Sequence, residues 1–306
     1  MPDFLRAISP RTTVAVVAFA IVATGNQPGG CMSWTLHLRS RPRRAQILNK
    51  RCETGLALLR TNHAKAEACL IRVLDACLRH LGERQLVTLE TRRALGTVQH
   101  YRGRYGQAEE TLLVAIAAYD LSDESHRIGQ RQARSWLAAA RAQAGRPEQA
   151  VNELRAVVAE CIGEWGSDAP IALLCRLALG HALTHAGWEQ EAAEVLSELV
   201  QSHIRLSGVR ARQTLCARHG FGTALVQLGE LDHAELEFHA VLADPGTHRS
   251  CQYVCWGGLA KVAAGRDQRD EAVRLYEKAI AGWIDLGGED HPYVREVRDE
   301  LAALPT

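Results

Sequence analysis

One spacing constrains this chain more than any other feature. A small residue followed four places later by a large apolar one recurs at a fixed interval. Ala66, Ala108, Ala150, Ala192, Ala234 and Ala272 stand 42, 42, 42, 42 and 38 residues apart, and the fourth residue after each is Leu70, Leu112, Leu154, Leu196, Phe238 or Tyr276. An i, i+4 pair shares one helical face, so each alanine marks a point where a second helix can come close. Five residues before the alanine stands Gly103, Gly145, Gly187 or Gly229 in four of the units. Glycine suits a helix end there because it accepts the left-handed conformation that other residues resist. Upstream lies a large-small pair: Leu95-Gly96, Leu137-Ala138, Leu179-Gly180, Phe221-Gly222 and Leu259-Ala260. Each unit therefore reads as helix, tight turn, helix, and a period of this length implies a stacked array whose units cannot bury their apolar faces alone.

Composition agrees with helices. Aromatic residues are 5% of the 306 and apolar residues 47%, a balance that suits Ala/Leu packing better than a β-barrel. The net charge of +1 hides an asymmetry. Residues 1–51 carry eight basic side chains against Asp3 alone, which leaves 28 basic and 34 acidic residues in the remainder. A mildly acidic body argues against a nucleic-acid surface. Nine cysteines, an odd and scattered set, fit a reducing compartment.

The run Val14–Ala23 is wholly apolar, and three readings fit it: a signal peptide, a short membrane anchor, or an extension upstream of the true start. The basic cluster Arg39–Arg51 follows it, so an anchored chain would keep its bulk on the cytoplasmic side. The expected division is an N-terminal segment over 1–44 and a helical array over 45–306. A final helix at 292–303 is expected to cap the array. The expected location is cytoplasmic, with membrane tethering through residues 14–23 as the variant.

The large-small pair, turn glycine, alanine and following large residue resemble the tetratricopeptide repeat (TPR). The last unit is nearest the pattern, with Trp256, Leu259, Ala260, Ala272, Tyr276 and Ala279. A 42-residue period is similar to the long-hairpin variety of kinesin light chains and many bacterial proteins, and Leu286-Gly287-Gly288-Glu289-Asp290-His291-Pro292 matches its closing stretch. The first unit departs most: Glu53-Thr54 stands for the large-small pair and Thr61 for the glycine, so its first helix lacks support. The resemblance implies an all-α solenoid of about six helix-turn-helix repeats wound into a right-handed superhelix.

It also implies a concave groove built from the first helices, touched at the fifth, ninth, twelfth and thirteenth positions of each unit. Carried over residue by residue, the groove candidates are Arg93, Thr97, His100, Tyr101, Gln143, His181, His185, His219, Thr223 and Gln227. The Lys/Arg/Asn set of carboxylate-clamping relatives is missing. His181, His185 and His219 could approach a zinc ion, but no cysteine or carboxylate completes the shell, so uncharged groove residues are the simpler reading. Arg92, Arg134, Arg176 and Arg218, again 42 apart, are read as stems laid across the neighbouring helix rather than a ladder for an acidic ligand.

No phosphate loop, nucleophile elbow or dinucleotide fingerprint occurs, and no cofactor, metal or catalysis is expected. The expected function is a protein-interaction adaptor, monomeric or weakly dimeric, that binds a protein or peptide in the groove. The alternative is a ligand-responsive sensor acting on a signalling or transcription partner.

Overall fold

A computed structural model describes residues 42–304, so the apolar run 14–23 lies outside the described residues. Within them the chain forms six antiparallel helical hairpins and a final helix. The hairpins are α1 Pro42–Leu58 with α2 His63–His80, α3 Leu86–Tyr101 with α4 Tyr105–Ala118, and α5 Glu124–Gln143 with α6 Pro147–Trp165. They continue with α7 Pro170–Ala186 and α8 Glu189–Ser207, α9 Arg212–Gln227 and α10 Leu231–Leu242, then α11 Arg249–Gly265 and α12 Arg269–Gly287. Helix α13, Pro292–Ala302, closes the array. Each helix packs on the next, and the first helices of adjacent hairpins also touch, so the chain is an α-solenoid with α3, α5, α7, α9 and α11 along its inner wall.

The repeat code has a direct steric meaning. The six alanines are fully buried, as are Leu70, Leu112, Leu154, Leu196 and Phe238. A Cβ on Gly96 would lie 2.6 Å from Leu112, one on Gly180 2.5 Å from Leu196, and one on Gly222 2.7 Å from Phe238. The large residue of each second helix thus sits directly on the small residue of the first. The turn glycines 103, 145, 187 and 229 all have φ between +71° and +83°. Asp267 occupies the same position in the sixth hairpin at φ +58°, the one left-handed non-glycine among the described residues.

The first hairpin corrects the expectation for its leading helix. Helix α1 forms, burying Ala45, Leu48, Cys52 and Leu56. Its small residue is Gly55, whose Cβ would meet Leu70 at 2.8 Å. Gly55 lies eleven residues before Ala66, where Gly96, Gly180 and Gly222 lie twelve before their alanines, so a phase-locked search lands on Glu53-Thr54 and misses it. The shortened last interval also has a local cause: α10 spans only 12 residues against 19 for α8 and α12. Pro245 stands three residues beyond its end, and the residue before a proline is driven out of the helical region.

Three of the four arginines of the series pair within their hairpins, and Arg92 does not. Arg134 reaches Glu160 at 2.7 Å, Arg176 reaches Glu198 at 2.8 Å and Arg218 reaches Glu237 at 2.8 Å, each binding the first helix of a hairpin to its second. Trp256 takes this place in the sixth hairpin with Lys278 4.1 Å above its ring. None of the described helices is long and apolar enough to cross a membrane.

The array also closes on itself. Helix α12 touches α2, and a Cβ on Gly103 would stand 2.4 Å from Pro292. The His63 and His291 rings lie 5.4 Å apart, which brings the first hairpin against the cap of the last.

Candidate functional site

Closure turns the concave groove into a central cavity of about 420 Å³. Its wall draws on α3, α5, α7, α9 and α11, because the first helix of each hairpin faces the axis of the superhelix. Of the ten candidates from the repeat positions, His100, Tyr101, Gln143, His181, His185 and His219 line it, together with Ser135, Ala139, Ala142 and Leu177.

The other four lie elsewhere. Arg93 is 2% exposed and donates to one Glu90 oxygen, Oε2, from Nε at 3.0 Å and Nη2 at 2.6 Å, while the Tyr119 hydroxyl donates to Oε1 at 2.9 Å. That network joins α3 to the end of α4. It withdraws the arginine from any ligand, since removing one partner of a buried pair strands the other charge. Thr97, 1% exposed, donates to the Arg93 carbonyl one turn below. Thr223 makes the matching bond to the His219 carbonyl at 2.9 Å, and Gln227 is exposed outside the cavity.

The cavity is mostly apolar with a stripe of uncharged polar groups. The Gln143 amide donates to His185 Nε2 at 2.9 Å across neighbouring units, and the His181 and His219 ring centroids are 5.5 Å apart. Burial keeps these imidazoles neutral: it pushes His100 and His181 down to about 4 and His219 to about 3, and lowers His185 as well. His100 Nδ1 and His219 Nδ1 are buried and have no hydrogen-bond partner. Of the charged side chains on the wall, Asp168 is held by Arg205 at 2.9 and 3.1 Å, and Arg212 stands beside Cys216. Among the described residues no group of three His, Cys, Asp or Glu side chains is placed to hold a metal ion.

Where the two ends meet, a belt of rings crosses the join. Trp136 packs on Tyr101 at 5.6 Å, Tyr101 on His63 at 5.8 Å, His63 on His291, and His291 stacks on Trp283 at 4.8 Å. Tyr293 stacks on the same indole at 4.7 Å. His63, Trp136, Trp283 and Tyr293 also line the cavity, and the repeat positions miss all four. Trp283 stands at the repeat position that Tyr119 fills in the second hairpin, Tyr293 has no aromatic counterpart, and the nearest sequence signal is the Leu-Gly-x-x-His-Pro stretch that places His291.

The tetratricopeptide repeat family model matches residues 55–120. No curated protein matches the chain. Among solved structures, BtubC (BKLC) from P. vanneervenii is similar over 85% of this chain and 94% of its own, with TM-score 0.53 and 12% identity, a likeness of fold alone. A putative kinesin light chain of Podosopora anserina with nearly identical TPR-like repeats aligns over 64% of this chain and 94% of its own, at TM-score 0.48 and 22% identity. A Rap protein complexed with Competence and Sporulation Factor aligns over 84% and 87%, at TM-score 0.48 and 14% identity. Repeats of this kind generally mediate contacts between proteins and are generally not enzymes. With six hairpins on the 42-residue code and a family match over residues 55–120, the chain folds as a tetratricopeptide-like α-solenoid.

Proposed function

We propose that this chain is an adaptor that captures a short, uncharged and largely apolar peptide segment of a partner protein inside the closed array. The observation that carries the reading is the central cavity, whose volume of about 420 Å³ falls within the ~300–1,000 Å³ of typical ligand sites. Neutral imidazoles and the Gln143 amide match the backbone groups of an extended peptide, which carry no net charge. Leu177, Ile171 and Val254 match apolar side chains. A cytoplasmic setting suits the free thiols, and the acidic body does not suit nucleic acid.

The test fills the cavity. Tagged full-length protein and its Ala139→Trp and Ala178→Trp variants would be used to capture partners from the native host. A partner held by the wild type and lost from both folded variants, whose binding segment maps to an apolar peptide, supports the reading. A partner retained by the filled variants places binding on the outer surface and ends it.

The closed join favours a second reading, a sensor. Because Tyr101, His63, Trp283 and Tyr293 both line the cavity and hold the ends together, a guest that wedges between them would alter closure. A change in the scattering radius on adding the captured peptide would separate the sensor from a passive adaptor.

A further inference from the structure

Among the described residues two thiol pairs lie within contact distance, and they differ in what can reach them. Cys161 and Cys175 have their sulfurs 3.9 Å apart, and both side chains are fully buried. Cys216 on α9 and Cys251 on α11 have theirs 3.8 Å apart, and both line the central cavity. Cys216 is half-buried, whereas Cys251 is 8% exposed. Arg212, one turn before Cys216 on the same helix, sets its guanidinium beside that sulfur. The arrangement combines a partly accessible sulfur, a neighbouring cation, and a second sulfur in reach.

We propose that Cys216 and Cys251 form a redox-active dithiol in the cavity wall, oxidised by a hydroperoxide to a disulfide that staples the fifth hairpin to the sixth. The Cys216 thiolate attacks one oxygen of hydrogen peroxide. The O–O bond breaks, the other oxygen leaves as water with a proton from solvent, and Cys216 becomes a sulfenic acid. The Cys251 thiol then attacks that sulfur. The S–S bond forms, the S–O bond breaks, and the departing hydroxide takes the Cys251 proton as water. Two thiols are oxidised and one peroxide is reduced to two waters. The sulfurs must close from 3.8 Å to about 2.05 Å.

Roles within the pair follow from the surroundings. The hydrogen bond shared with Cys251, aided by the neighbouring Arg212 guanidinium, lowers the Cys216 thiol below its ordinary value and favours its thiolate. Cys251, the more deeply buried of the two, is raised and stays protonated, which suits the resolving partner. Cys255, one turn further along α11, is raised by burial and fully covered. In a reducing compartment such a disulfide is transient, a signal rather than a structural staple. The inference stands apart from the adaptor reading, because it needs no ligand.

The test uses the reduced full-length chain. Pulse alkylation with iodoacetamide at pH 7 should modify Cys216 at least ~tenfold faster than Cys161 or Cys175. Hydrogen peroxide followed by tryptic mass spectrometry should then give a cross-linked peptide joining residues 213–218 to residues 250–261. Because the second peptide also holds Cys255, the link should persist in Cys255→Ala. Cys251→Ser should stop at the sulfenic acid, trapped by dimedone on Cys216. The inference is overturned if the link disappears in Cys255→Ala, if Cys161 and Cys175 oxidise first, or if Cys216 is still reduced when the other thiols have reacted. The alkylation rate on unmutated protein guards against a variant that misfolds.

Discussion

The middle hairpins and the join between the two ends are built by different rules. In the third, fourth and fifth hairpins the main packing contacts repeat: alanine against large residue, small residue under it, arginine to glutamate within the hairpin. Each contact spans one unit or reaches only the next, which is how repeat arrays ordinarily hold together. At the join, contacts reach from residue 63 to 291 and from 103 to 292, and they use histidine, tryptophan, tyrosine and proline in place of Ala and Leu. A repeated interface tolerates the loss of one copy. A single long-range interface has no spare, and its rings, unlike alanine and leucine, respond to pH and to a guest in the cavity.

The largest expected effect comes from removing the cap. Truncation after Asp290 takes away His291, Pro292 and the buried Val294 and Val297. Two buried valines and the lost ring stack amount to roughly 5 kcal/mol, enough to lower Tm on the order of 10–20 °C. The scattering radius should rise with the join open while helicity outside α13 is kept. An unchanged radius would mean that the join contributes nothing to closure.

Acid should distinguish the join next. His63 and His291 are 3% and 2% exposed, and burial first, with His291, His248 and Arg102 also acting on His63, pushes them to about 3 and about 4 from 6.5. In the unfolded chain they take up protons below about pH 6.5, whereas the folded protein resists until pH 4. Stability is therefore unaffected above pH 7, falls as pH drops through 6.5, and levels off near the folded values. Each ring should cost about 2 kcal/mol at pH 5 relative to pH 7. Urea unfolding at both pH values should show that loss shrinking in His63→Phe with His291→Phe. An equal loss in the double variant would assign it to the cavity histidines instead.

The smallest effect is also the sharpest comparison, because it uses one repeat position twice. Gly103 and Gly145 both have positive φ, but nothing lies within 4 Å of a Cβ on Gly145, whereas a Cβ on Gly103 meets Pro292. Gly145→Ala should cost about 1 kcal/mol from the left-handed backbone alone. Gly103→Ala should cost a further ~1–3 kcal/mol and increase the radius. Equal costs would show the Pro292 contact to be dispensable.

The same division governs what could be read from the chain alone. Hairpins, turn glycines and the identity of the inner-wall helices follow from local spacing, since i, i+4 pairs and helix ends are decided within a few residues. His181, His185 and Gln143 were legible for that reason: His185 lies one 42-residue period after Gln143, and His181 one turn before it on the same helical face. Arg93 occupies an equivalent position yet turns into the Glu90–Tyr119 network, because an acid three residues before it and a tyrosine at the end of α4 are unique to that unit. Gly55 escaped through a one-residue slip in phase. Closure was out of reach altogether: it depends on the rotation accumulated over six hairpins, and no residue encodes that sum.

An open solenoid can lengthen by tandem gene duplication, because an added unit needs only two neighbours. A ring has no such freedom. Inserting one more 42-residue hairpin here would carry His291 and Pro292 away from His63 and Gly103 and leave the aromatic belt facing water. Descendants of this gene that keep the join are confined to six hairpins and must vary by substitution within them. Those that change the number of units must give up the enclosed chamber, so a repeat count in any relative predicts whether that chamber was inherited.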